Sequence, residues 1–240
     1  MEHRDRLWPG GYTFLYDDGL FRPSTDTFLL GAFPRLRRGM TVCELGAGTG
    51  LLSLLLLARE PELTVTGVEL QPQACALFRR TAEENGLQGR MHCLEGDLRQ
   101  GLLPPGRFRL AVANPPYFPP DAGAVAPDAA RRTARAETDC TLAQLCAAAA
   151  RALTWGGSFC LVHRPDRLAD VLEELRRVRL EPKRLRFVHH TAAAPPSLFL
   201  LEARLGGGVG LTVEPPLLLR GPDGGETEDV RRAYFRDKEE

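Results

Sequence analysis

Apolar residues in this chain fall into short runs separated by glycine, proline and charge. Thr41-Val42-Cys43-Glu44-Leu45, Thr64-Val65-Thr66-Gly67-Val68, Met91-His92-Cys93-Leu94, Leu110-Ala111-Val112-Ala113 and Ser158-Phe159-Cys160-Leu161-Val162-His163 are such runs. Their length and scarcity of polar interruption predict strands buried in a parallel sheet. Helical stretches lie between them. Leu51 to Ala58 follows a glycine loop, and Leu142 to Leu153 is alanine-rich and stopped by Trp155-Gly156-Gly157. Arg167 to Arg179 is amphipathic, with Leu168, Val171, Leu172 and Leu175 on one face. Arg184 to His189 and Ser197 to Ala203 read as two final strands, and the charged tail from Asp229 to Glu240 is expected to fray. Strands alternating with helices predict an α/β fold. No internal repeat is evident.

The ends of the strands carry the chemistry. After the first strand stands Glu44-Leu45-Gly46-Ala47-Gly48-Thr49-Gly50, so the spacing is G-x-G-x-G. The dinucleotide fingerprint places its third glycine one residue later, and a phosphate-binding P-loop ends in lysine, which is missing here. Glu44 repels phosphate and suits an ammonium group. A ligand with an amino-acid end and a nucleoside end therefore fits better than a dinucleotide. Glu69 ends the second strand, where an acid accepts the two hydroxyls of a ribose; a solvated strand-end carboxylate is the plain alternative. Asp97 follows the third strand and is placed to take the amino group of an adenine.

Asn114-Pro115-Pro116-Tyr117 ends the fourth strand. Neither proline has an N–H, and each holds its predecessor extended, so sheet pairing stops there. What remains is a rigid rim with an amide, a backbone carbonyl and an aromatic face. Two acceptors can hold an exocyclic amine there while its ring stacks on Tyr117, which suits methylation of a planar nitrogen. The bland reading is a proline-rich turn. Against it stands the order of glycine loop, ribose acid, adenine acid and NPPY, each on the carboxyl edge where open α/β sheets bind ligands.

These motifs resemble a class I S-adenosylmethionine-dependent methyltransferase of the amino-methylating type. More narrowly, the chain resembles the bacterial tRNA(Val) adenine-N6 methyltransferase family, which modifies the adenine 3′ of the anticodon. Further segments carry the likeness: Phe21-Arg22-Pro23-Ser24-Thr25-Asp26-Thr27-Phe28-Leu29-Leu30, Arg132-Thr133-Ala134-Arg135-Ala136-Glu137, and Gly210 to Leu217. The resemblance implies a Rossmann-like, seven-stranded, mostly parallel sheet with helices on both faces and an antiparallel last strand. It implies one domain over residues 1–240, with 1–38 closing the cofactor site. Asn114, Pro115 and Tyr117 become catalytic residues. Thr25, Asp26, Glu44, Gly46, Gly48, Gly50, Glu69, Asp97 and Asn114 become cofactor ligands, and Pro116, Phe118, Arg131, Arg132 and Arg135 face the substrate.

Composition narrows the setting. The chain has 240 residues, 43% of them hydrophobic, enough for one substantial domain. Its apolar runs are too short for a membrane span, and no signal-peptide core or metal-ligand spacing is visible. Cys43, Cys75, Cys93, Cys140, Cys146 and Cys160 lack C-x-x-C pairing and read as small apolar residues of a reduced cytosol. Net charge is zero, unusual for an enzyme that binds RNA. Arginine is clustered, however, at Arg35-Arg37-Arg38, at Arg131-Arg132-Arg135, and at Lys183-Arg184-Arg186. The middle group lies on the non-periodic stretch Phe118 to Thr138, expected to be mobile alone and ordered over RNA. Ribosomal RNA and a protein glutamine amide remain alternative substrates, and a non-catalytic cofactor-binding module is the different-class reading. The helical domain that precedes the glutamine-methylating site is expected to be lacking, because only a short segment precedes Arg22.

Overall fold

The structure, a computed structural model, describes residues 1–20, 22–115 and 140–238. An N-terminal hairpin pairs β1 (Glu2–Arg6) with β2 (Thr13–Asp17). The main sheet contains β3 (Thr41–Leu45), β4 (Thr64–Glu69), β5 (Met91–Glu95), β6 (Phe108–Ala113), β7 (Leu153–His163), β8 (Leu180–His189) and β9 (Pro196–Leu205). Their order across the sheet is β8-β9-β7-β6-β3-β4-β5. Two-residue strands β10 (Thr212–Val213) and β11 (Leu217–Leu218) extend it along β8.

The seven-stranded, mostly parallel sheet expected from the resemblance is present. β3 to β7 pair in parallel, and β9 runs antiparallel to both β7 and β8. β8 runs with the majority, so among these seven strands β9 is the antiparallel one. From β3 the chain winds outward through β4 and β5, then returns to β3's other side as β6. This reversal puts a topological switch point at the carboxyl ends of β3 and β6, where such sheets bind ligands.

Alternation in the strands divides the core. Val42 and Val112 face a layer containing α1 (Thr25–Ala32), α2 (Leu51–Arg59) and α3 (Pro72–Glu84), while Cys43, Ala111 and Ala113 face α4 (Leu142–Ala152) and α5 (Leu168–Arg177). Every side chain of α2 from Leu51 to Leu57 is buried. That helix is apolar all round because it lies between the sheet and α1. Gly31 makes the close α1–α2 contact possible: a Cβ there would meet the Leu55 Cβ at 2.9 Å. Arg59 fastens the end of α1 by donating to the carbonyls of Gly31 (2.5 Å) and Pro34 (3.0 Å).

Three further expectations change. The tail from Asp229 does not simply fray: α6 (Glu228–Ala233) buries Val230 and Ala233, and Phe235 follows them into the core. Cys75 on α3 and Cys93 on β5 form a disulfide, with Cα atoms 6.0 Å apart, so these two are not merely apolar filler. Cys43, Cys146 and Cys160 are free and buried. The Lys183-Arg184-Arg186 group is not a solvated RNA-facing patch. Arg184 is half-buried and pairs with Glu202 (3.0 Å) and Glu214 (3.2 Å), lies 3.9 Å over the Phe33 ring, and donates to the Phe33 carbonyl. Arg186 holds Asp229, and Lys183 donates to the Gly208 carbonyl.

Candidate active site

Parallel register brings the chemistry-bearing residues to one edge. Glu44 is level with Gly67 on β4 and Val112 on β6, and Glu69 is level with Glu95 on β5. The chain leaving β3 turns through Gly46 and Gly48 into Gly50, whose φ of +86° caps α2. A Cβ at Gly50 would lie 2.5 Å from the Phe78 ring and 2.7 Å from Met91 Cε. Both conformation and space therefore demand glycine there. The N–H groups of Gly46 and Ala47 donate to the Val68 carbonyl, each at 3.0 Å, tying the loop to β4.

Glu69 organises the middle of this edge. One carboxylate oxygen accepts from Gly48 N (2.7 Å) and the other from Gln71 N (2.8 Å). Its own carbonyl accepts from Gly96 N at 2.8 Å, which links the approach to Asp97. A single residue thus joins the glycine loop, the start of α3 and the exit of β5.

Glu44 is buried and accepts from the backbone N–H of Ser53 at 3.0 Å and from the Ser53 hydroxyl. Burial pushes its pKa up to about 8, the Ser53 hydrogen bonds oppose that, and the Glu69 charge adds to it. In this setting the acid keeps its proton at neutral pH, and a cation brought beside it would favour the ionised form. Asp97 stands differently. Arg99 donates to it from both backbone and guanidinium, and the guanidinium bond is the main cause of its lowered pKa. An exposed pair of this kind contributes at most about 1 kcal/mol, so an incoming donor displaces it at little cost.

Asn114 leaves the end of β6 and meets α1. Its Nδ2 donates to Thr27 Oγ1 at 2.9 Å, which turns the amide oxygen away from Thr27. Ser24 Oγ lies 3.3 Å from the same hydroxyl. Thr27 is buried and was not among the residues the sequence singled out. Its neighbours Thr25 and Asp26 were. Thr25 Oγ1 accepts from Tyr234 Oη of the C-terminal segment at 3.0 Å, and Asp26 sits half-buried in the first turn of α1. Pro115 is half-buried at the rim. Pro116, Tyr117, Phe118, Arg131, Arg132 and Arg135 lie outside the described residues, as does the whole Phe118–Thr138 stretch.

The Arg35-Arg37-Arg38 group is at the opposite edge. It precedes β3, and Arg38 pairs with Glu62 at 2.8 Å. Among the described residues no cluster of three metal-ligating side chains occurs, and no helix is long and apolar enough to cross a membrane.

Comparisons agree with this geometry. Residues 23–182 match the family described as methyltransferase small domain. A tRNA1(Val) (adenine(37)-N6)-methyltransferase of Yersinia enterocolitica is 32% identical over 182 residues, covering 73% of this chain and 71% of that protein. The Yersinia pestis protein of the same name is 33% identical over 160 residues, 64% of each chain. Among solved structures, an Agrobacterium tumefaciens protein titled a predicted O-methyltransferase superposes with a TM-score of 0.73 at 20% identity, covering 88% of this chain and 95% of that one. Geranyl diphosphate C-methyltransferase of Streptomyces coelicolor, solved with S-adenosyl-L-homocysteine, gives 0.55 at 14% identity over 74% of this chain and 75% of its own. These last two likenesses concern the fold. With its glycine loop, strand-end acids and Asn114 on one sheet edge, the chain belongs to the methyltransferase small domain family and is an S-adenosylmethionine-dependent methyltransferase.

Proposed function

We propose that this enzyme methylates N6 of an adenine in RNA, and that its substrate is the adenine 3′ of the anticodon in tRNA(Val). The observation that carries the chemistry is the Asn114–Thr27 hydrogen bond, which fixes the direction of the amide oxygen. The curated relatives, one third identical, support the substrate.

The donor set fits S-adenosylmethionine. Glu44 would receive the ammonium of the amino-acid end, Glu69 the ribose hydroxyls and Asp97 the adenine amino group. Gly46, Gly48 and Gly50 keep the loop clear of side chains, and Thr25 and Asp26 close the site from α1. When bound, S-adenosylmethionine supplies a methyl group already activated on a sulfonium centre.

The chain's own residues then act on the nucleophile. The lone pair of the adenine amine is delocalised into the ring, so it must be localised and aimed. Asn114 Oδ1 and the Pro115 carbonyl each accept one amino hydrogen, which biases the nitrogen towards a pyramidal shape and directs its lone pair outward. Positive charge grows on the nitrogen as reaction proceeds, so both acceptors bind more strongly in the transition state. Each is worth about 3 kcal/mol, by analogy with oxyanion-hole donors. Tyr117 stacks on the base and adds about 1–3 kcal/mol. Thr27 holds the amide in place and keeps it from rotating. The target base leaves a single-stranded loop, where unstacking is cheap, and Arg131, Arg132 and Arg135 hold the adjoining phosphates. A tRNA substrate places the enzyme in the cytoplasm.

Incubation with labelled S-adenosylmethionine and separated cell fractions tests the reading. Label in tRNA supports it; label in ribosomal RNA or in protein moves the substrate elsewhere.

A further inference from the structure

A cleft of about 520 Å³ lies between the N-terminal hairpin, the first turn of α1 and the segment after α6. Its lining includes neither the glycine loop nor the strand-end acids, but it shares Thr25 with the proposed cofactor site. One wall is a run of stacked rings on the hairpin: His3 on Tyr16 at 5.0 Å and 20°, and Tyr16 beside Phe14 at 5.7 Å and 24°. The other is Phe28 stacked on Tyr234 at 4.2 Å and 9°. Arg22 and Arg236 stand at its margin with side chains 65% and 42% exposed.

Both arginines are held by surface carboxylates, Arg22 by Asp18 at 2.8 Å and Arg236 by Glu226 at 3.1 Å. Arg22 is exposed and its pair is weak, while Arg236 is half-buried with its guanidinium 5.6 Å over the Tyr234 ring; a guanidinium exchanges a carboxylate for a phosphate without loss of geometry. Ring walls with guanidinium groups at the rim match the chemistry of a nucleotide: a flat base against the rings and a phosphate at the margin.

The cleft also communicates with the reacting end. Ser24 and Thr25 line it. Ser24 Oγ is 3.3 Å from Thr27 Oγ1, which accepts from Asn114, and Tyr234 donates to Thr25. A ligand in the cleft therefore rests on the same helical turn that orients Asn114. We infer that this cleft binds a nucleotide neighbouring the target adenine in the single-stranded loop, so that the hairpin and the C-terminal segment take part in RNA recognition. This rests on the RNA reading above.

The test uses the full chain and an anticodon stem-loop RNA, either intact or with abasic sites flanking the target. Tyr16→Leu and Arg22→Ala are measured for KM, with the S-adenosylmethionine Kd as a control for folding. Tyr16→Leu is expected to raise KM for the intact RNA roughly tenfold with the cofactor Kd unchanged. The abasic RNA should cost the intact enzyme a similar factor and cost Tyr16→Leu little more, because both changes remove the same contact. Multiplicative losses, or no KM change in either variant, overturn the cleft and leave N6-methylation standing. If the intact enzyme methylates no RNA, a 4-thiouridine placed beside the target decides the matter. Photocrosslinks to the hairpin or to Tyr234 then uphold the cleft although the proposed reaction fails, and their absence overturns both.

Discussion

Asn114 and Thr27, separated by 87 residues in sequence, meet at 2.9 Å where the end of β6 touches α1. The contact exists because α1 lies close on α2 through Gly31, and α2 is itself buried against the sheet. An amide at a strand end is thus held by a helix that lies 87 residues earlier in the sequence.

Thr27→Val should test that restraint directly. The substitution preserves shape in a buried position and removes only the hydroxyl. Turnover is expected to fall roughly tenfold or more through misorientation of the amide, with cofactor Kd nearly unchanged. Wild-type kcat in a folded Thr27→Val protein would show that Asn114 needs no such support.

Asn114 and Glu69 should fail in different ways. Asn114→Ala is expected to lower kcat by about 100- to 1,000-fold, the range found when one transition-state hydrogen bond is lost, with little change in cofactor Kd. Glu69→Ala removes the acceptor for Gly48 and Gln71 as well as the ribose partner, so cofactor Kd should rise much more than saturated kcat falls. Isothermal titration with steady-state kinetics separates the two. Equal effects of both changes on cofactor binding would contradict the division of roles.

Glu44 predicts a pH dependence. Its folded pKa of about 8 lies above the ordinary 4.5, so across that window the folded chain keeps a proton that the unfolded chain has lost. Stability of the ligand-free protein therefore falls as pH rises from about 4.5 to 8. Glu44→Gln should flatten that part of the Tm–pH profile. Cofactor binding below pH 8 should also release a proton in the wild type, because an ammonium favours the ionised carboxylate, and this component should vanish in Glu44→Gln. Calorimetry in buffers of different ionisation enthalpy measures it; identical proton release in the variant would assign the group elsewhere.

Arg184 should behave as a structural residue. Arg184→Ala removes an ion-pair partner from half-buried Glu202 and Glu214, although Ser158 still donates to Glu202, and is expected to cost about 1–3 kcal/mol, read as a lower Tm. KM for RNA should stay as it was in whatever protein remains folded. A raised KM with an unchanged Tm would return Arg184 to the RNA surface.

Much of the frame was legible because buried parallel strands write themselves as short apolar runs. Val42, Val65, Val112 and Val162 mark the strands, and Glu44, Glu69, Asp97 and Asn114 at the strand ends fall on one edge by topology alone. The hairpin was invisible since β1 is Glu-His-Arg-Asp-Arg, largely exposed and without apolar alternation. α3 went unread although Ala74, Leu77, Phe78 and Thr81 recur at helical spacing on its buried side, because no glycine loop or apolar run of its own draws attention to it. Thr27 could not be separated from Thr25 by sequence, as only tertiary packing decides which hydroxyl faces Asn114. Arg184 and the tail misled for one reason: charge was read as exposure, whereas Glu202, Glu214 and Phe33 bury the first, and Val230, Ala233 and Phe235 anchor the second.

The central claim is that Asn114 at this edge drives N6-methylation of an RNA adenine. Its most direct test is methyl transfer from labelled S-adenosylmethionine to unmodified valine tRNA, run beside Asn114→Ala and followed by nucleoside digestion. N6-methyladenosine formed by the intact enzyme and lost in the variant is the predicted result. Cofactor binding without transfer to that tRNA, or a labelled product other than N6-methyladenosine, would contradict it.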